Sequence, residues 1–363
     1  MTAEKNDFLK KVEGLRKLMN EKGSQAVMIE KQINFSWLTG GRGFVGLASE
    51  GSCGSLLVTA DKVYMISNNV EAPRLSNEEI GGLVDLIEVK HHMWHRFQDR
   101  EVLIKEVLGG GKYITDGELG VDLRKLRSRL TAFDIERYAV LSLQSAVVVE
   151  DICKNIRPGV SEFEIAGEAS SRLWAQGIEP ITVMAAFDDR LMKYRHPIPT
   201  GNKLKKYAMI VVCTRKYGLV TSLTRLVSLG AIDPEIRKKH NAVEEIDACF
   251  IVNTRPGAIA GEIFDKAVAT YKSEGYGSEW ELHHQGGMAG FNAREYIATS
   301  ANREVVELNQ AFAWNPSIAG TKSEDTIVVE EKGNRILTHT GSYPYIETKY
   351  GGQRLLRPDM LVL

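Results

Sequence analysis

Phe8, Val12, Leu15 and Met19 recur at three- and four-residue intervals, which puts them on one stripe of a helix that ends near Gly23. Short β-like runs follow at Ala26–Ile29, Ser55–Thr59, Val63–Ile66 and Leu83–Val89, with helical patterning at Glu71–Ile80 and Arg96–Leu108. Alternation of this kind predicts an α/β domain over residues 1–132. From about Phe133 the pattern lengthens. One continuous helical period covers 133–156, stops at Arg157-Pro158-Gly159, and gives way to a second helix at Glu162–Gln176. The runs Ala208–Cys213 and Leu219–Val227 flank the turn Tyr217-Gly218, so they read as a hairpin entered through Tyr194-Arg195-His196-Pro197.

The same order then recurs. Asn241–Asn253 is helical, Arg255-Pro256-Gly257 stops it, Glu262–Ser273 is helical again, and Ala311–Trp314 and Thr326–Val329 supply strands. A helix–Arg-Pro-Gly–helix unit that occurs twice predicts an internal duplication. Two α-α-β units packed together make a curved sheet backed by helices, with a cleft between the halves. Residues 133–363 are therefore expected to form an α+β domain of that kind.

Composition narrows the function without naming it. Hydrophobic residues make up 43% and charged residues 26% of the 363, an ordinary globular balance. A net charge of −1 gives no attraction to nucleic acid or to an anionic membrane, and no apolar run is long enough to span a bilayer. Cys53, Cys153, Cys213 and Cys249 are far apart and form no CxxC pair, which fits reduced thiols better than a disulfide framework or a zinc site. With a charged, apolar-poor start, the expected location is the cytoplasm. Gly109-Gly110-Gly111-Lys112 reads as a helix stop, because Tyr113 stands where a phosphate loop needs Ser or Thr. His91 and His95 would sit one turn apart on a helix, but no neighbouring Cys, Asp or Glu completes a metal site. Trp37-Leu38-Thr39-Gly40-Gly41-Arg42-Gly43-Phe44 reads as a glycine-rich loop.

The repeated helix–Arg-Pro-Gly–helix unit, the hairpin after His196 and the ending Glu324-Asp325-Thr326 together resemble the creatinase/aminopeptidase P/prolidase family, the pita-bread peptidases of family M24. The resemblance covers nearly the whole chain. It implies a small α/β N-terminal domain, including Trp37-Leu38-Thr39-Gly40, and a pita-bread domain from residue 133. Peptidases of the family hold two metal ions through two Asp, one His and two Glu, a set that activates a bridging water and polarises the scissile carbonyl. Carried onto this sequence, those positions fall at Val211, Ser222, Gly287, Asn315 and Glu324. Only Glu324 keeps a ligand, so the resemblance implies neither the paired metals nor any other cofactor. A local slip at His283 or His284 could restore the histidine but neither aspartate.

His196 matches the family histidine beside the scissile bond, the group that handles proton transfer in the metal-free member creatinase. The expectation is a metal-independent hydrolase of a C–N or amide bond in a small molecule or short peptide bearing a carboxylate. His196 would be its general acid/base, with Glu324 or Glu295 as partner. Arg42, Phe44, Arg225, His283, His284, Arg294 and Asn315 are the candidate substrate contacts. Structural pairing with an acidic neighbour is the first expectation for Arg225, and Asp325 is expected to serve structure. Arg42 and Phe44 match a loop that reaches into the neighbouring subunit in creatinase-like dimers, which makes a homodimer the expected assembly. Creatine is disfavoured, because Thr224 and Asn315 stand where a guanidinium would need carboxylates. Two other readings remain: a pita-bread protein that binds without catalysing, and an Xaa-Pro aminopeptidase or dipeptidase.

Overall fold

Thr2 accepts the Lys5 backbone N–H at 3.3 Å and so caps α1 (Ala3–Glu21), whose buried stripe contains Phe8, Val12, Leu15 and Met19 as their spacing predicts. The computed structural model describes every residue from Met1 to Leu363. It divides into two units, Met1–Phe133 with Tyr217–Leu219, and Asp134–Lys216 with Val220–Leu363.

In the first unit, β1 (Ala26–Lys31) is followed by α2 (Gln32–Thr39), β2 (Gly51–Thr59), β3 (Val63–Asn68), β4 (Glu88–His92), α3 (Gln98–Leu108), β5 (Tyr113–Thr115) and α4 (Asp116–Ser128). The sheet order is β4-β3-β2-β1-β5; β1–β2 and β2–β3 are antiparallel, β3–β4 and β1–β5 parallel. Three local expectations change. Trp37-Leu38-Thr39 completes α2 rather than a loop, and Gly40 ends that helix at φ 75°. The strand expected at Leu83–Val89 begins at Glu88 and takes in His91 and His92. His91 and His95 are therefore not one helical turn apart. The helix expected over Glu71–Ile80 is a short turn at Ala72–Arg74 continued by a wider one at Leu75–Glu79. Gly109 does end α3, at φ 58°.

The second unit begins with α5 (Ala132–Asn155), α6 (Glu162–Trp174), β6 (Glu179–Phe187), β7 (Tyr207–Lys216) and β8 (Leu219–Ser228). It continues through α7 (Pro234–Asn253), α8 (Ala260–Ser273), β9 (Gly286–Ala289), β10 (Ala311–Trp314), β11 (Ser317–Ile318), β12 (Thr321–Lys322) and β13 (Asp325–Val328). Then come β14 (Arg335–Ile336), β15 (Tyr345–Tyr350), β16 (Gln353–Pro358) and β17 (Leu361–Val362). Two four-stranded sheets run β17-β8-β7-β6 and β14-β13-β10-β9, with hairpins β11-β12 and β15-β16 beside them. The strand β6 was not expected from the sequence.

The duplication is visible in backbone detail. Gly159 and Gly257 both adopt the left-handed region, at φ 83° and 86°. Gly159 N–H donates to Leu204 O at 2.8 Å and Gly257 N–H to Val306 O at 2.9 Å. The return bonds, Leu204 N–H to Val160 O and Val306 N–H to Ala258 O, complete the same small ladder in each half. In each half the turn that follows the first helix thus carries a left-handed glycine and is tied to a later extended segment. Packed against α7 and α8, Phe250, Phe312 and Trp314 stack with ring centroids 4.4 and 5.5 Å apart, fixing the β9–β10 sheet that carries the site.

Candidate active site

His196 follows a helical turn at Asp189–Lys193, and its neighbour Arg195 is anchored by an ion pair to Glu279. The Glu279 carboxylate also accepts the Ala319 N–H at 3.1 Å. Glu279 opens a single 3-10 turn, Glu279–Leu282, and His283 and His284 leave it in sequence. This one carboxylate therefore holds together the segments that bear all three imidazoles.

The rings meet. His196 Nε2 and His283 Nε2 are 3.2 Å apart, and the ligand nitrogens of His196, His283 and His284 all lie within 4.8 Å of one another. His283 is buried and its Nδ1 lies 3.3 Å from the Ser317 hydroxyl, while His196 is exposed. The Gly286 N–H donates to His284 Nδ1 at 3.3 Å. Behind them, Gln285 is fixed by the Tyr271 hydroxyl, which donates to its Oε1 at 2.7 Å. The histidines open on a cavity of about 430 Å³ lined also by Phe264, Trp280 and Ile297. Burial lowers all three imidazole pKa values, and the charge of Lys322 adds to the effect on each; His284, which Arg294 also depresses, falls to about 4. At neutral pH the rings are uncharged, with lone pairs available.

The second feature is Glu324, almost fully buried. Its Oε1 pairs with Arg294 at 3.0 Å, and its Oε2 pairs with Lys322 at 2.8 Å and accepts the Thr224 hydroxyl at 2.8 Å. Arg294 also donates to the Ser222 hydroxyl at 3.2 Å, and that hydroxyl lies 3.3 Å from Cys213 Sγ. Burial pushes the Glu324 carboxyl up, but Lys322 and Arg294 outweigh it and keep the group below its ordinary range, hence ionised. Lys322 belongs to no motif in the sequence. Its signal was the Lys-x-Glu spacing, which sets both side chains toward one side of an extended segment.

These residues do not fit the paired metals of the family. Val211 packs in an apolar cluster with Met209 and Leu226. A Cβ at Gly287 would stand 2.3 Å from the Tyr296 carbonyl oxygen, so no histidine side chain can start there without moving the backbone. Ser222 and Asn315 are neutral, and both oxygens of Glu324 are already held by cations. Two divalent ions would need carboxylates that the site lacks and would face Lys322 and Arg294 at close range.

The remaining candidates are distributed unevenly. Arg225 is sealed in the core, paired with Glu150 and Asp325 at 3.0 Å each and donating to the carbonyls of Thr224 and Thr338. Its guanidinium is fully used, so substrate contact by Arg225 is replaced by the structural pairing. Asp325 likewise serves structure, between Arg225 and Arg357. Glu295 is buried and its N–H donates to Met288 O at 2.7 Å. Asn315 is buried, its N–H donates to Gln285 O at 3.1 Å, and its Oδ1 has no partner. Glu324 does not hydrogen-bond to His196; its oxygens go to Arg294, Lys322 and Thr224, so a direct carboxylate–imidazole pair is not formed. In the first unit, Arg42 is clamped by Glu79, with its N–H donating at 2.7 Å and its guanidinium pairing at 3.0 Å. Phe44 is buried there, and its carbonyl accepts from Arg74 at 3.2 Å.

Comparison with known proteins gives the family. Residues 140–331 match the sequence profile of metallopeptidase family M24, and residues 11–129 match the creatinase/prolidase N-terminal domain. The chain is 23% identical to the uncharacterized peptidase YqhT of Bacillus subtilis (strain 168), over 91% of this chain and 98% of that protein. Its fold is similar to the Xaa-Pro dipeptidase from Bacillus anthracis, with TM-score 0.74, 18% identity, and coverage of 98% of this chain and 100% of that one. It is also similar to the N-terminal domain of the FACT complex subunit SPT16 from Cicer arietinum (chickpea), with TM-score 0.69, 12% identity, and coverage of 93% and 97%. No helix is long and apolar enough to cross a membrane. A creatinase/prolidase-type N-terminal domain followed by a pita-bread domain that matches over residues 140–331 makes this chain a member of metallopeptidase family M24.

Proposed function

We propose that the protein hydrolyses a C–N or amide bond in a small, carboxylate-bearing molecule, with His196 as general base and with built-in cations in place of the paired metals. The observation that carries this reading is the Lys322–Glu324–Arg294 triad beside three uncharged imidazoles. His196 is the exposed ring on the cavity, and its lowered pKa leaves its lone pair free at neutral pH to take a proton from an attacking water. His283, 3.2 Å away, is too buried to take up charge and so fixes the tautomer and orientation of His196. Lys322 and Arg294, held in place by Glu324, supply positive potential for a substrate carboxylate or a developing oxyanion. Buried Arg294 Nε and Asn315 Oδ1, which lack partners, are a donor and an acceptor left for a ligand.

The test is a panel of small amides, amidines and dipeptides, including Xaa-Pro, followed by amine release with chelator-treated protein. Turnover should survive chelation and fall about 10²–10⁴-fold in His196→Gln, the usual contribution of a general base. Ligand binding without turnover, unchanged in His196→Gln, would support the binding-protein reading instead. The fold likeness to an Xaa-Pro dipeptidase favours a second reading, hydrolysis of Xaa-Pro peptides. Turnover of those peptides that requires two added metal equivalents per chain would establish it and end the metal-independent one. Light scattering on the same samples tests the expected homodimer.

A further inference from the structure

We propose that His196, His283 and His284 together bind one transition-metal ion of the imidazole-preferring class, typified by Zn²⁺ or Co²⁺, at a place the family's carboxylate-rich pair does not use. The binding does not depend on the hydrolase reading.

Geometry carries the argument. With metal–nitrogen bonds of about 2.0–2.1 Å, neighbouring nitrogens of a tetrahedral site lie about 3.3–3.4 Å apart. His196 Nε2 and His283 Nε2 are already 3.2 Å apart, so an ion can bridge them with almost no movement. The third ring offers a nitrogen within 4.8 Å of the others, and its Nδ1 is engaged only by a 3.3 Å bond from the Gly286 N–H. A bond that long is weak, and the ring can exchange it for an ion. His283 also has the outer support a ligand needs, since its Nδ1 faces the Ser317 hydroxyl at 3.3 Å. The fourth position would open on the cavity, because His196 is exposed there.

The donor set selects the ion. Three nitrogens without a carboxylate suit Zn²⁺, Co²⁺, Ni²⁺ or Cu²⁺ and are poor for Mg²⁺ or Ca²⁺. Local charge limits the affinity. Lys322 and Arg294 oppose a dication, Glu324 offsets one of them, and Arg195 is neutralised by Glu279. The site is therefore expected to bind far more weakly than structural zinc sites, in about the micromolar range. On the hydrolase reading, an ion here takes the lone pair that His196 uses as a base, so metal would inhibit rather than activate.

The experiment uses the full chain, stripped with chelator and titrated with Co²⁺ under visible absorption and with Zn²⁺ by calorimetry. One equivalent per chain should bind, with the intense absorption of tetrahedral Co²⁺. His283→Ala should weaken binding tenfold or more. Should that buried substitution unfold the chain, His284→Gln and His196→Gln replace less buried rings and should each weaken binding to the same degree. Failure to bind, a weak octahedral spectrum, or an affinity unchanged in His284→Gln would overturn the proposal. So would two equivalents that survive His284→Gln and disappear in Glu324→Gln, since that is the pattern of the family's own pair. None of these readouts requires turnover, so a failed hydrolase reading leaves the metal result intact.

Discussion

Glu324 is the residue on which the site turns, and its neighbours show what the sequence could and could not reveal. The resemblance placed Glu324 at a family ligand position and put the neutral residues Val211, Ser222 and Asn315 at others. Its ion pairs were not read from the sequence: Lys322 stands two residues away in a Lys-x-Glu spacing that belongs to no motif, and Arg294 reaches it from another segment. Arg225 was legible in the opposite sense: an arginine in an apolar strand must find acids, and it finds Glu150 and Asp325. The triad sets an order of stabilities. Glu324→Gln strands two buried cations and should cost about 3–5 kcal/mol; Lys322→Met leaves the carboxylate with Arg294 and should cost about 2 kcal/mol. Denaturant midpoints measure both, and a Lys322→Met protein less stable than Glu324→Gln would refute the arrangement. By contrast, His196→Gln alters an exposed ring and should change stability by no more than about 0.5 kcal/mol, which makes it a clean probe of activity.

A one-sided helix stripe and short, wholly apolar runs were readable. The stripe of α1 follows its period, and β10 and β13, buried along their whole length, show as brief apolar runs. Helix α2 escaped because it has no polar face. Gln32, Asn34, Ser36, Trp37, Leu38 and Thr39 are all buried, and the polar ones hydrogen-bond internally, Gln32 Nε2 to Ser36 Oγ at 3.0 Å. Strand β6 escaped for the opposite reason, since Pro180 to Val183 are only partly buried and lack strict alternation. In the β9–β10 hairpin, Gly287 pairs with Ala313 and has no room for a side chain. Gly287→Ala should therefore cost about 1–3 kcal/mol from overpacking against the Tyr296 carbonyl. Chemical denaturation reads it, and a neutral result would mean that the hairpin yields more easily than its contacts imply.

At the scale of the whole molecule, two-unit organisation and duplication were written in the order of the elements, whereas the pH response depends on groups that only the fold brings together. His240 is fully buried, its Nδ1 2.8 Å from the Thr321 hydroxyl. Its Nε2 lies 3.6 Å from Glu244 and 3.4 Å from Asp359, yet burial, helped by Arg237 and Arg357, lowers the imidazole to about 4. These approaches are not ion pairs at neutral pH, since the ring is uncharged and the Glu244 carboxyl is itself pushed well up by burial. The unfolded chain protonates this histidine near 6.5 and the folded chain only near 4. Stability is thus present in full above about pH 6.5 and lost as pH falls toward 4. Thermal melts should show that decline, and His240→Gln should flatten it; an unchanged slope would assign the acid sensitivity elsewhere. The triad at Glu324 also has a consequence for how such a chain can change over time. An Asp at 211 would first enter an apolar cluster, and a His at 287 would first strike a carbonyl. Each first substitution toward a two-metal site is therefore unfavourable before the next is made, while Lys322 and Arg294 already satisfy the Glu324 carboxylate. The present arrangement is self-locking, because no single substitution at 211 or 287 meets a place prepared for it.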